Sequence, residues 1–583
     1  MSGAARAGLV VALLLPPGVF LASAAEFRSA NSVTHDETFY LTAGKAIFVR
    51  NDFDPCAQYG VAPLPVLLEY SPAILTRGDQ VSDKIWGSTP EDPASVDLAR
   101  ATTALVVGVP LLVFVALWAF RQTGSVIAAG ATGFLVALSP MVSAHASVAT
   151  TDVCFTLLFL AALLAIGAHA ACPTASRFLL AGGVVGLALS AKYTGLVLLP
   201  VGYLVGVIAD FRCSLPTAAR LARLVMIHPA RQLGLAVVAV LVAWAITGFE
   251  VSPVPLSAQP ASAVPVGTGI RSVLGDGSVA DLAINLGHRL HLPNPIVGAY
   301  RQYAMAAERT SPTYPTQLFG QVYPAGHRLY YVWAIILKST PAELVLFVVA
   351  GIGVIASCRH GLSRVGRSWV PVVVGAGTLL VLFSFSTKQF GLRYLLPIYP
   401  TVVVIAVTGL HTQLGHRPAV FAVTLTGLIG WQAVSAIATS PYSLSYVNEI
   451  AGGPGHGQES LGNSDVDWGQ GLIGLGEFLD REGESAVLVR VLGTTPPVAY
   501  GVHVLPWQSY PAPPCRYIAV GATMLHRNSA LDPRAWPFRG LVPVAVVGGS
   551  ILVFDTSDPA VWQAYLCGNE RHRALASGAT EPR

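Results

Sequence analysis

Long apolar runs recur along this chain, and they limit its fold more than any other feature of the sequence. A helix needs about 20 apolar residues to cross a bilayer, and eleven segments come near that length. The chain is 53% hydrophobic and 11% charged, whereas soluble domains carry about 25% charged residues. The sequence therefore predicts an α-helical polytopic membrane protein with about 11 transmembrane helices. The predicted spans are 8–25, 101–120, 125–142, 152–171, 177–190, 194–210, 233–249, 331–356, 369–385, 395–411 and 418–438.

The positions of arginine predict the orientation of these spans, because cytoplasmic loops are enriched in Lys and Arg. With the N-terminus inside, the arginines between spans share the cytoplasmic side, and an odd number of spans places the C-terminal tail outside. Two alternatives stay open: 177–190 and 194–210 are two short spans or one broken pair, and the first segment is a span or a signal peptide cleaved near "LASAAEF". The arginines are Arg6, Arg121, Arg177, Arg212, Arg220, Arg223, Arg231, Arg359, Arg364, Arg367 and Arg417.

Three regions outside the spans define the predicted domains. Residues 26–100 and 250–330 are external loops of a transmembrane domain, 1–440, and residues 441–583 form a small extracytoplasmic C-terminal α/β domain. The first loop contains "YGVAPLPVLLEYSP", which would form interfacial helices, and the second begins with the proline-rich "VSPVPLSAQPASAVPVGTG", typical of irregular structure. In the tail, "SAVLVRVLG", "RYIAVGA" and "VPVAVVGGSILVFD" predict strands.

Several classes of protein lack their usual signatures in this sequence. A net charge of +4 without a basic stripe gives no indication of a nucleic-acid partner. The patterns GxxxxGK(S/T), HExxH and GxSxG do not occur, which argues against an ATP-driven pump and the common hydrolases. The seven cysteines show no metal-ligand spacing. Cys515 and Cys567 in the external tail either form a disulfide or stay free.

Ionisable residues at the outer ends of spans are the main indication of a functional site. Placing such a residue at membrane depth costs about 2.5–3.5 kcal/mol on insertion scales, so these residues are functional candidates. A carboxylate there can act as a general base or hold a divalent cation, and Arg and Lys suit a phosphate group. Together they predict a lipid-phosphate substrate. The residues are Asp36, Glu37, His145, Asp152, Lys192, Lys338, Lys388 and Arg393.

Each of these residues also has a structural interpretation. Asp152 stands at the start of a span, where an acid caps a helix, and Lys338 and Arg393 stand where basic side chains snorkel. Lys192 suits a turn between two spans, and His145 suits a hydrogen-bonded structural role better than a ligand role. The adjacent acids of the first loop would be solvated. Their joint occurrence on one predicted membrane face favours the functional interpretation.

Six motifs, in their order along the chain, resemble those of the GT-C superfamily of polytopic glycosyltransferases. These enzymes use a polyprenyl-phosphate sugar, and the nearest relatives appear in family 39, the protein O-mannosyltransferases, and among the bacterial aminoarabinose lipid A transferases. The motifs are "HDETFYLTAGKAI", "LSPMVSAHASVATTDVCFTLLFL", "GVVGLALSAKYTGLVLLP", "LYYVWAIILKSTPAELVL", "FGLRYLLPIYP" and "SPYSLSYVNEIAGGP" with "LGNSDVDWGQGL".

The resemblance implies a role for each matching position. Asp36 matches the acid regarded as the catalytic base or as the group that orients the acceptor, and Glu37 is its companion. Asp152 matches the second-loop acid, which holds a metal, the donor or the acceptor. Lys192 and Arg393 match basic positions near the donor phosphate, and Lys338 is assigned to the same group. No cofactor is firmly implied, although a divalent cation on Asp36 and Asp152 stays open.

The implied reaction is a single inverting displacement at the anomeric carbon, in which the acceptor expels polyprenyl phosphate. The expected partners are a polyprenyl-phosphate-linked sugar, an extracytoplasmic acceptor (glycolipid, cell-envelope glycan or protein) and the bilayer of the inner (plasma) membrane. Family first loops carry an "EHPPL" pattern that "YGVAPLPVLLEYSP" lacks, so the acceptor pocket is not implied. Without inserted repeat domains, a Ser/Thr protein acceptor is not favoured.

The tail motif and the overall function each keep an alternative. In "NSDVDWGQGL", Asp465, Asp467 and Trp468 contact acceptor sugar or dock the tail on the membrane bundle, and docking is favoured. A polytopic secondary transporter or flippase of lipid-linked sugars is the alternative function. A transporter is expected to show inverted halves with broken helices, and no such halves are evident. An anchored wall-binding protein would not need eleven spans with converging charges.

Overall fold

The protein is a bundle of apolar helices followed by a small mixed domain, which is the predicted class of fold. The computed structural model describes residues 2–576 apart from 77, 79, 212–215, 254–274, 276, 307–314, 360–363 and 527–533. Within this part, helices dominate, two short two-stranded sheets interrupt the bundle, and a four-stranded sheet follows the last apolar helix.

Each predicted span falls on an apolar helix. Across the described residues, seven helices are long and apolar enough to cross a membrane, and one bent pair, Val126–Ala137 with Pro140–Ala146, would make an eighth span. Three shorter apolar helices, Ala175–Ala191, Ser368–Ser384 and Ile398–Leu414, account for the remaining predictions. The seven long helices are Gly3–Ala30, Asp92–Thr123, Thr151–Ala171, Tyr193–Asp210, Thr217–Ile246, Pro341–Arg359 and Pro418–Thr439.

Two predicted spans are interrupted at a proline. The span predicted over 125–142 is bent by 70° before Pro140. The prediction of one continuous span over 331–356 was wrong, because this stretch forms two helices, Tyr330–Lys338 and Pro341–Arg359. Proline lacks an N–H group and disfavours a helical conformation in the residue before it, so both prolines begin a new helix. By contrast, 177–190 and 194–210 lie on separate helices that meet at the extended residue Lys192.

The first loop is largely helical and packs against the bundle. The helix predicted in "YGVAPLPVLLEYSP" is confirmed as Pro63–Thr76, whose buried face includes Val66, Glu69 and Tyr70. Its placement along a membrane surface stays a prediction. The preceding helices of this loop are Glu37–Arg50 and Asp54–Tyr59.

The second loop contains two antiparallel strand pairs. Strands β1 (Val251–Pro253) and β2 (His291–Pro293) pair across the long intervening segment, and β3 (Thr316–Leu318) and β4 (Gln321–Tyr323) form a hairpin. Most of the proline-rich stretch, whose irregular structure was predicted, lies outside the described residues. The helices of this loop are Ser278–Arg289 and Asn294–Ala306.

The tail contains the strands that the sequence predicts. Strands β5 (Leu488–Arg490), β6 (Tyr517–Gly521), β7 (Ala545–Val547) and β8 (Ile551–Asp555) form a sheet in the order β5-β6-β8-β7. β5 is parallel to β6, and the other pairs are antiparallel. Cys515 and Cys567 are both free, so the disulfide alternative is not realised. The α-helices of this domain are Gly457–Ser460, Leu472–Glu482, Ala522–His526 and Pro559–Ala576.

A buried ion pair joins the first loop to the helix Asp92–Thr123. Arg100 donates from Nε and Nη2 to the two carboxylate oxygens of Glu37, at 2.8 and 2.7 Å, and the two side chains are 3% and 0% exposed. Arg100 also donates to the carbonyl oxygens of Asn31 and Ser32. Glu37 accepts a further bond from the backbone N–H of Ala149 at 2.9 Å. One ion pair therefore connects three separate segments of the bundle.

The tail docks on the same part of the first loop. The hydroxyl of Ser32 donates to the carbonyl oxygen of Gly469 at 2.9 Å and accepts from the N–H of Leu472 at 3.0 Å. The N–H of His35 donates to the carbonyl oxygen of Trp468 at 2.9 Å. The residues just before the helix Glu37–Arg50 are thus held between the ion pair and the tail.

We expect Arg100→Leu to lower the free energy of unfolding by about 3–5 kcal/mol, because it leaves the Glu37 carboxylate buried without its cation. Arg28→Leu is the matched control, since Arg28 pairs with Asp97 at 2.7 Å while the two side chains are 28% and 47% exposed. Such a pair contributes about 0–1 kcal/mol. Thermal unfolding of the purified proteins in detergent gives the comparison.

Equal losses in the two variants would contradict this assignment. If Arg100→Leu does not accumulate, the double variant Glu37→Leu/Arg100→Leu removes both charges and is expected to recover part of the lost stability.

Candidate active site

Four of the predicted site residues meet in one ionic cluster. Lys192 Nζ donates to Asp152 Oδ1 at 2.6 Å, and Arg393 Nη1 donates to Asp36 Oδ2 at 3.0 Å. The same Arg393 nitrogen lies 3.7 Å from Asp152 Oδ2. Arg393 therefore lies between two carboxylates that are 116 positions apart in the sequence.

Each member of the cluster stands at the end of a helix. Asp36 immediately precedes the helix Glu37–Arg50, and Asp152 lies in the first turn of Thr151–Ala171. A carboxylate is favourable at a helix N-terminus, but the side chain of Asp152 also pairs with Lys192, so capping alone does not describe it. Lys192 follows Ala175–Ala191 directly, and Arg393 lies in the short 3-10 turn before Ile398–Leu414.

The tail helps to hold Arg393 in place. The Arg393 guanidinium lies 4.1 Å from the centre of the Trp468 ring, and its Nε donates to the carbonyl oxygen of Phe390 at 3.1 Å. Asp465 Oδ1 accepts from the N–H of Leu392 at 2.8 Å. Gly391 has φ +85°, and a Cβ there would lie 3.0 Å from Asp465 Oδ1, so a side chain would disturb this contact.

The charges and burial of the cluster favour its ionic form. Burial alone would lower the pKa of Arg393, but the charges of Asp36 and Asp152 outweigh it, and the net pKa is raised. Asp152 is almost fully buried, with a side chain 1% exposed, whereas the Asp36 side chain is 20% exposed. The two acids therefore differ in access, and only Asp36 of the pair is open to an incoming group.

Two predicted site residues lie outside the cluster. The carboxylate of Glu37 is bonded by Arg100 and by the backbone N–H groups of Ala149 and Thr34. Lys338 donates from Nζ to the carbonyl oxygens of Leu444 (2.9 Å) and Asp465, and it is 2% exposed. Lys338 thus contacts the start of the tail rather than the acids of the cluster.

The two predicted tail contacts have different surroundings. Trp468 is 3% exposed and lies against Arg393, so it reaches the cluster directly. Asp467 accepts from the N–H groups of Gly469 and Thr523 at 3.0 and 2.9 Å. The Thr523 hydroxyl also donates to the carbonyl oxygen of Asp467 at 2.7 Å. Asp467 therefore connects the docking segment to the sheet of the tail.

Three aromatic or acidic neighbours of the cluster were not predicted as site residues. The Tyr394 ring lies 4.3 Å from Lys192 Nζ, and burial raises the pKa of Tyr394 to about 12. Burial also raises the pKa of Tyr40, with the charges of Asp36, Asp152 and Glu69 adding to it. Glu69 stands alone as an acid in "PLPVLLEYSP", and an isolated carboxylate in an apolar run was the signal that could have found it.

His145 lies beside the cluster without an ion pair to it. It is 1% exposed, and its ring centre lies 6.2 Å from that of Trp468. Its Nδ1 is buried and has no hydrogen-bond partner among the described residues, so a hydrogen-bonded structural role for His145 stays a prediction.

The donor set of the cluster does not fit a divalent cation as it stands. Within the described residues, no group of three or more His, Cys, Asp and Glu side chains is placed to hold a metal ion. Divalent cations favour several oxygen ligands, and Arg393 Nη1 contacts both carboxylates that were predicted to provide them. A cation bridging Asp36 and Asp152 would have to displace this guanidinium.

The chain has a distant likeness to two solved structures. No protein-family model matches it, and no curated protein matches it. ArnT from Cupriavidus metallidurans bound to undecaprenyl phosphate is 14% identical, with a TM-score of 0.44 and coverage of 94% of this chain and 98% of that chain. The apo state of the same protein is 15% identical, with a TM-score of 0.45 and coverage of 96% and 99%. At these values, neither structure assigns a role to a residue of this chain.

The contacts of Asp467 predict a pH dependence of tail docking. Burial raises the pKa of Asp467 to about 6, although its hydrogen bonds to Thr523 and Gly469 oppose the shift. The folded state binds the Asp467 proton more tightly than the unfolded chain does. Protonation of Asp467 therefore adds to the free energy of unfolding, and this contribution is fully present below about pH 4. The contribution is lost as the pH rises through about 6.

Relative to Asp467→Asn, we expect the wild type to gain about 2 kcal/mol of unfolding free energy between pH 7 and pH 4. Unfolding measured at several pH values in this range gives the difference. Asp83→Asn is the control, because the Asp83 side chain is 69% exposed and its replacement should leave the slope unchanged. The assignment would be contradicted if, relative to Asp467→Asn, the wild-type free energy of unfolding fell between pH 7 and pH 4.

Proposed function

We propose that this protein is an integral membrane glycosyltransferase that moves a sugar from a polyprenyl-phosphate-sugar donor to an extracytoplasmic acceptor, with inversion. The observation that carries the proposal is the shared position of Arg393, which contacts Asp36 at 3.0 Å and Asp152 at 3.7 Å at the end of an apolar helix bundle. Two carboxylates and two cations at the end of such a bundle suit proton transfer and phosphate binding at one membrane face.

Asp36 is the proposed general base. It is the more exposed of the two acids, and its Oδ2 is held by a single guanidinium nitrogen. The acceptor hydroxyl or amine would attack the anomeric carbon while its proton passes to Asp36. Asp152 would position Lys192, because the buried carboxylate of Asp152 accepts a hydrogen bond from Lys192 Nζ at 2.6 Å.

Arg393 and Lys192 are the proposed binding groups for the donor phosphate. As the bond from the anomeric carbon to the phosphate oxygen breaks, its electron pair stays on the phosphate, and nearby cations stabilise the growing charge. A phosphate bound to Arg393 would compete with Asp36 for the guanidinium. Donor binding would therefore release the Asp36 carboxylate at the moment when a base is needed.

The lipid carrier and the membrane complete the proposal. The ArnT structure was obtained with undecaprenyl phosphate, and we propose a carrier of this type for the present chain. The apolar helices would place the protein in the inner (plasma) membrane as a multi-pass protein, with the N-terminus cytoplasmic and the tail extracytoplasmic. The acceptor would be a glycolipid, a cell-envelope glycan or a protein, and the sugar a hexose or a pentose.

Lipid profiling of cells that lack the protein identifies the donor, because the unused polyprenyl-phosphate sugar accumulates. With this donor, purified wild-type protein is expected to release polyprenyl phosphate in the presence of the acceptor fraction. We expect Asp36→Asn to lower kcat by at least about 100-fold, since general-base assistance contributes factors of about 10²–10⁴.

Asp83→Asn is the matched control, an exposed carboxylate of the same loop, and it should retain wild-type activity. Full sugar transfer by Asp36→Asn would overturn the assignment of the base. A wild-type protein that moves the lipid-linked sugar across the membrane but releases no polyprenyl phosphate would support the transporter or flippase alternative instead.

Arg393→Gln and Lys192→Gln are each expected to weaken binding of undecaprenyl phosphate about 10–100-fold, because each removes a charge-assisted hydrogen bond to the phosphate. Direct binding to the purified proteins measures the effect. Lys84→Gln serves as the control, since Lys84 is exposed. Unchanged affinity in both variants, with thermal stability confirming that they are folded, would remove the phosphate-binding role.

A further inference from the structure

Glu69 is a buried acid without a hydrogen-bond partner on one of its oxygens. It lies on the inner face of the helix Pro63–Thr76 and is 3% exposed. Its Oε2 is fully buried and has no hydrogen-bond partner among the described residues. Leaving a buried polar atom unpaired costs about 1–3 kcal/mol, so such an atom calls for an explanation.

The other buried acids in the described part of the chain do not share this property. Glu37 is bonded to Arg100, and Asp152 to Lys192. Glu343 accepts from the N–H of Thr340 at 2.8 Å and from Gln432 at 3.2 Å. The unpaired Oε2 of Glu69 is therefore not a general feature of acids in this bundle.

The surroundings of Glu69 are those of the ionic cluster. Burial raises the pKa of Glu69 well above its usual range, and the charges of Glu37 and Asp152 add to the effect. Glu69 in turn acts on Tyr40, the aromatic neighbour of Asp36. Lys192 and Arg393 are already paired with Asp152 and Asp36. These effects favour the protonated form of Glu69, and its Oε2 has hydrogen-bonding capacity that the described residues do not use.

The position of Glu69 suits the sugar that is transferred. Its helix packs against Glu37–Arg50, which begins directly after Asp36, and also against Thr151–Ala171, which carries Asp152, and Ala175–Ala191, which ends at Lys192. In the proposed function the donor sugar lies between the base Asp36 and the phosphate bound near Lys192. A protonated carboxyl group can both donate and accept a hydrogen bond, which matches the hydroxyl group of a sugar.

We propose that Glu69 is a specificity-determining residue of this site, whose carboxyl group hydrogen-bonds a hydroxyl group of the donor sugar. The inference rests on the proposed function, because it takes the donor to be a polyprenyl-phosphate sugar. In the absence of substrate the unpaired oxygen destabilises the fold, and bound donor satisfies it. The site therefore trades stability for recognition.

The test compares Glu69→Leu and Glu69→Gln with the polyprenyl-phosphate sugar that accumulates in cells lacking the protein. Glu69→Leu is expected to lower kcat/KM for this donor by about 10–100-fold. KM for the acceptor and affinity for undecaprenyl phosphate, which lacks the sugar, should not change. Glu69→Gln keeps a neutral group that donates and accepts hydrogen bonds, so it should stay within about 3-fold of the wild type.

Thermal unfolding adds a readout that does not depend on activity. Glu69→Leu is expected to raise the apparent Tm of the substrate-free protein, because it removes an unpaired buried polar atom. Glu343→Leu, which removes a buried acid with hydrogen-bond partners, is the matched control and should lower it. If Glu69 has a structural role instead, Glu69→Leu would lower the Tm just as Glu343→Leu does.

Each remaining outcome decides against the inference in a different way. Unchanged donor kinetics in Glu69→Leu would overturn it while leaving the proposed function intact. An equal loss in Glu69→Gln and Glu69→Leu would show that the ionised carboxylate is required, and a change confined to the acceptor KM would place Glu69 at the other substrate. A wild-type protein that releases no polyprenyl phosphate would overturn the proposed function and this inference together.

Discussion

The buried pair between Glu37 and Arg100 is the interaction on which the geometry of the site depends. Two buried charges are costly to desolvate, and they are tolerated only with close geometry and further hydrogen bonds. Arg100 supplies both by bonding Glu37 and the carbonyl oxygens of Asn31 and Ser32. The turn that ends at Asp36 is thereby fixed to a long apolar helix. The adjacent acids of the first loop thus divide two tasks: Glu37 holds the backbone, and Asp36 faces the cluster.

The cluster itself is held in position before any substrate arrives. Arg393 is bound by the carboxylate of Asp36, by the Phe390 carbonyl oxygen and by the Trp468 ring. Groups positioned in advance need little reorganisation when charge develops during a reaction. The same arrangement accounts for the burial of opposite charges here, because each cation lies against a carboxylate and an aromatic face.

Much of the fold could be predicted from the sequence, because apolar length and β-branched runs report on local structure. The spans and the tail strands were therefore recognisable, whereas the break before Pro341 was missed although Lys338, Ser339 and Thr340 interrupt the apolar residues there. Asp36, Asp152, Lys192 and Arg393 were identifiable because charged residues are rare and expensive beside apolar spans. Their pairing was not, since a side chain's partner depends on tertiary packing.

The residues whose partners the sequence did not reveal illustrate this limit. Lys338 looks like a phosphate ligand in sequence, but its partners are backbone carbonyl oxygens of the tail, and no side-chain pattern reports on those. Arg100 lies 63 positions from Glu37, in a stretch that carries no recognisable motif. Trp468 was interpreted mainly as a docking residue. Its backbone carbonyl oxygen does bind the first loop, but its ring also lies against Arg393.

The contact between Trp468 and Arg393 also has a consequence for the order in which the protein is made. Chains emerge from the ribosome N-terminus first, and their early segments fold before later ones exist. Asp36, Asp152, Lys192 and Arg393 all precede the last apolar helix, while Trp468 follows it. The aromatic face that covers the guanidinium therefore arrives only after the whole bundle has been synthesised. A nascent bundle carries its charged groups without that cover, and the finished site exists only once the tail has folded back onto it.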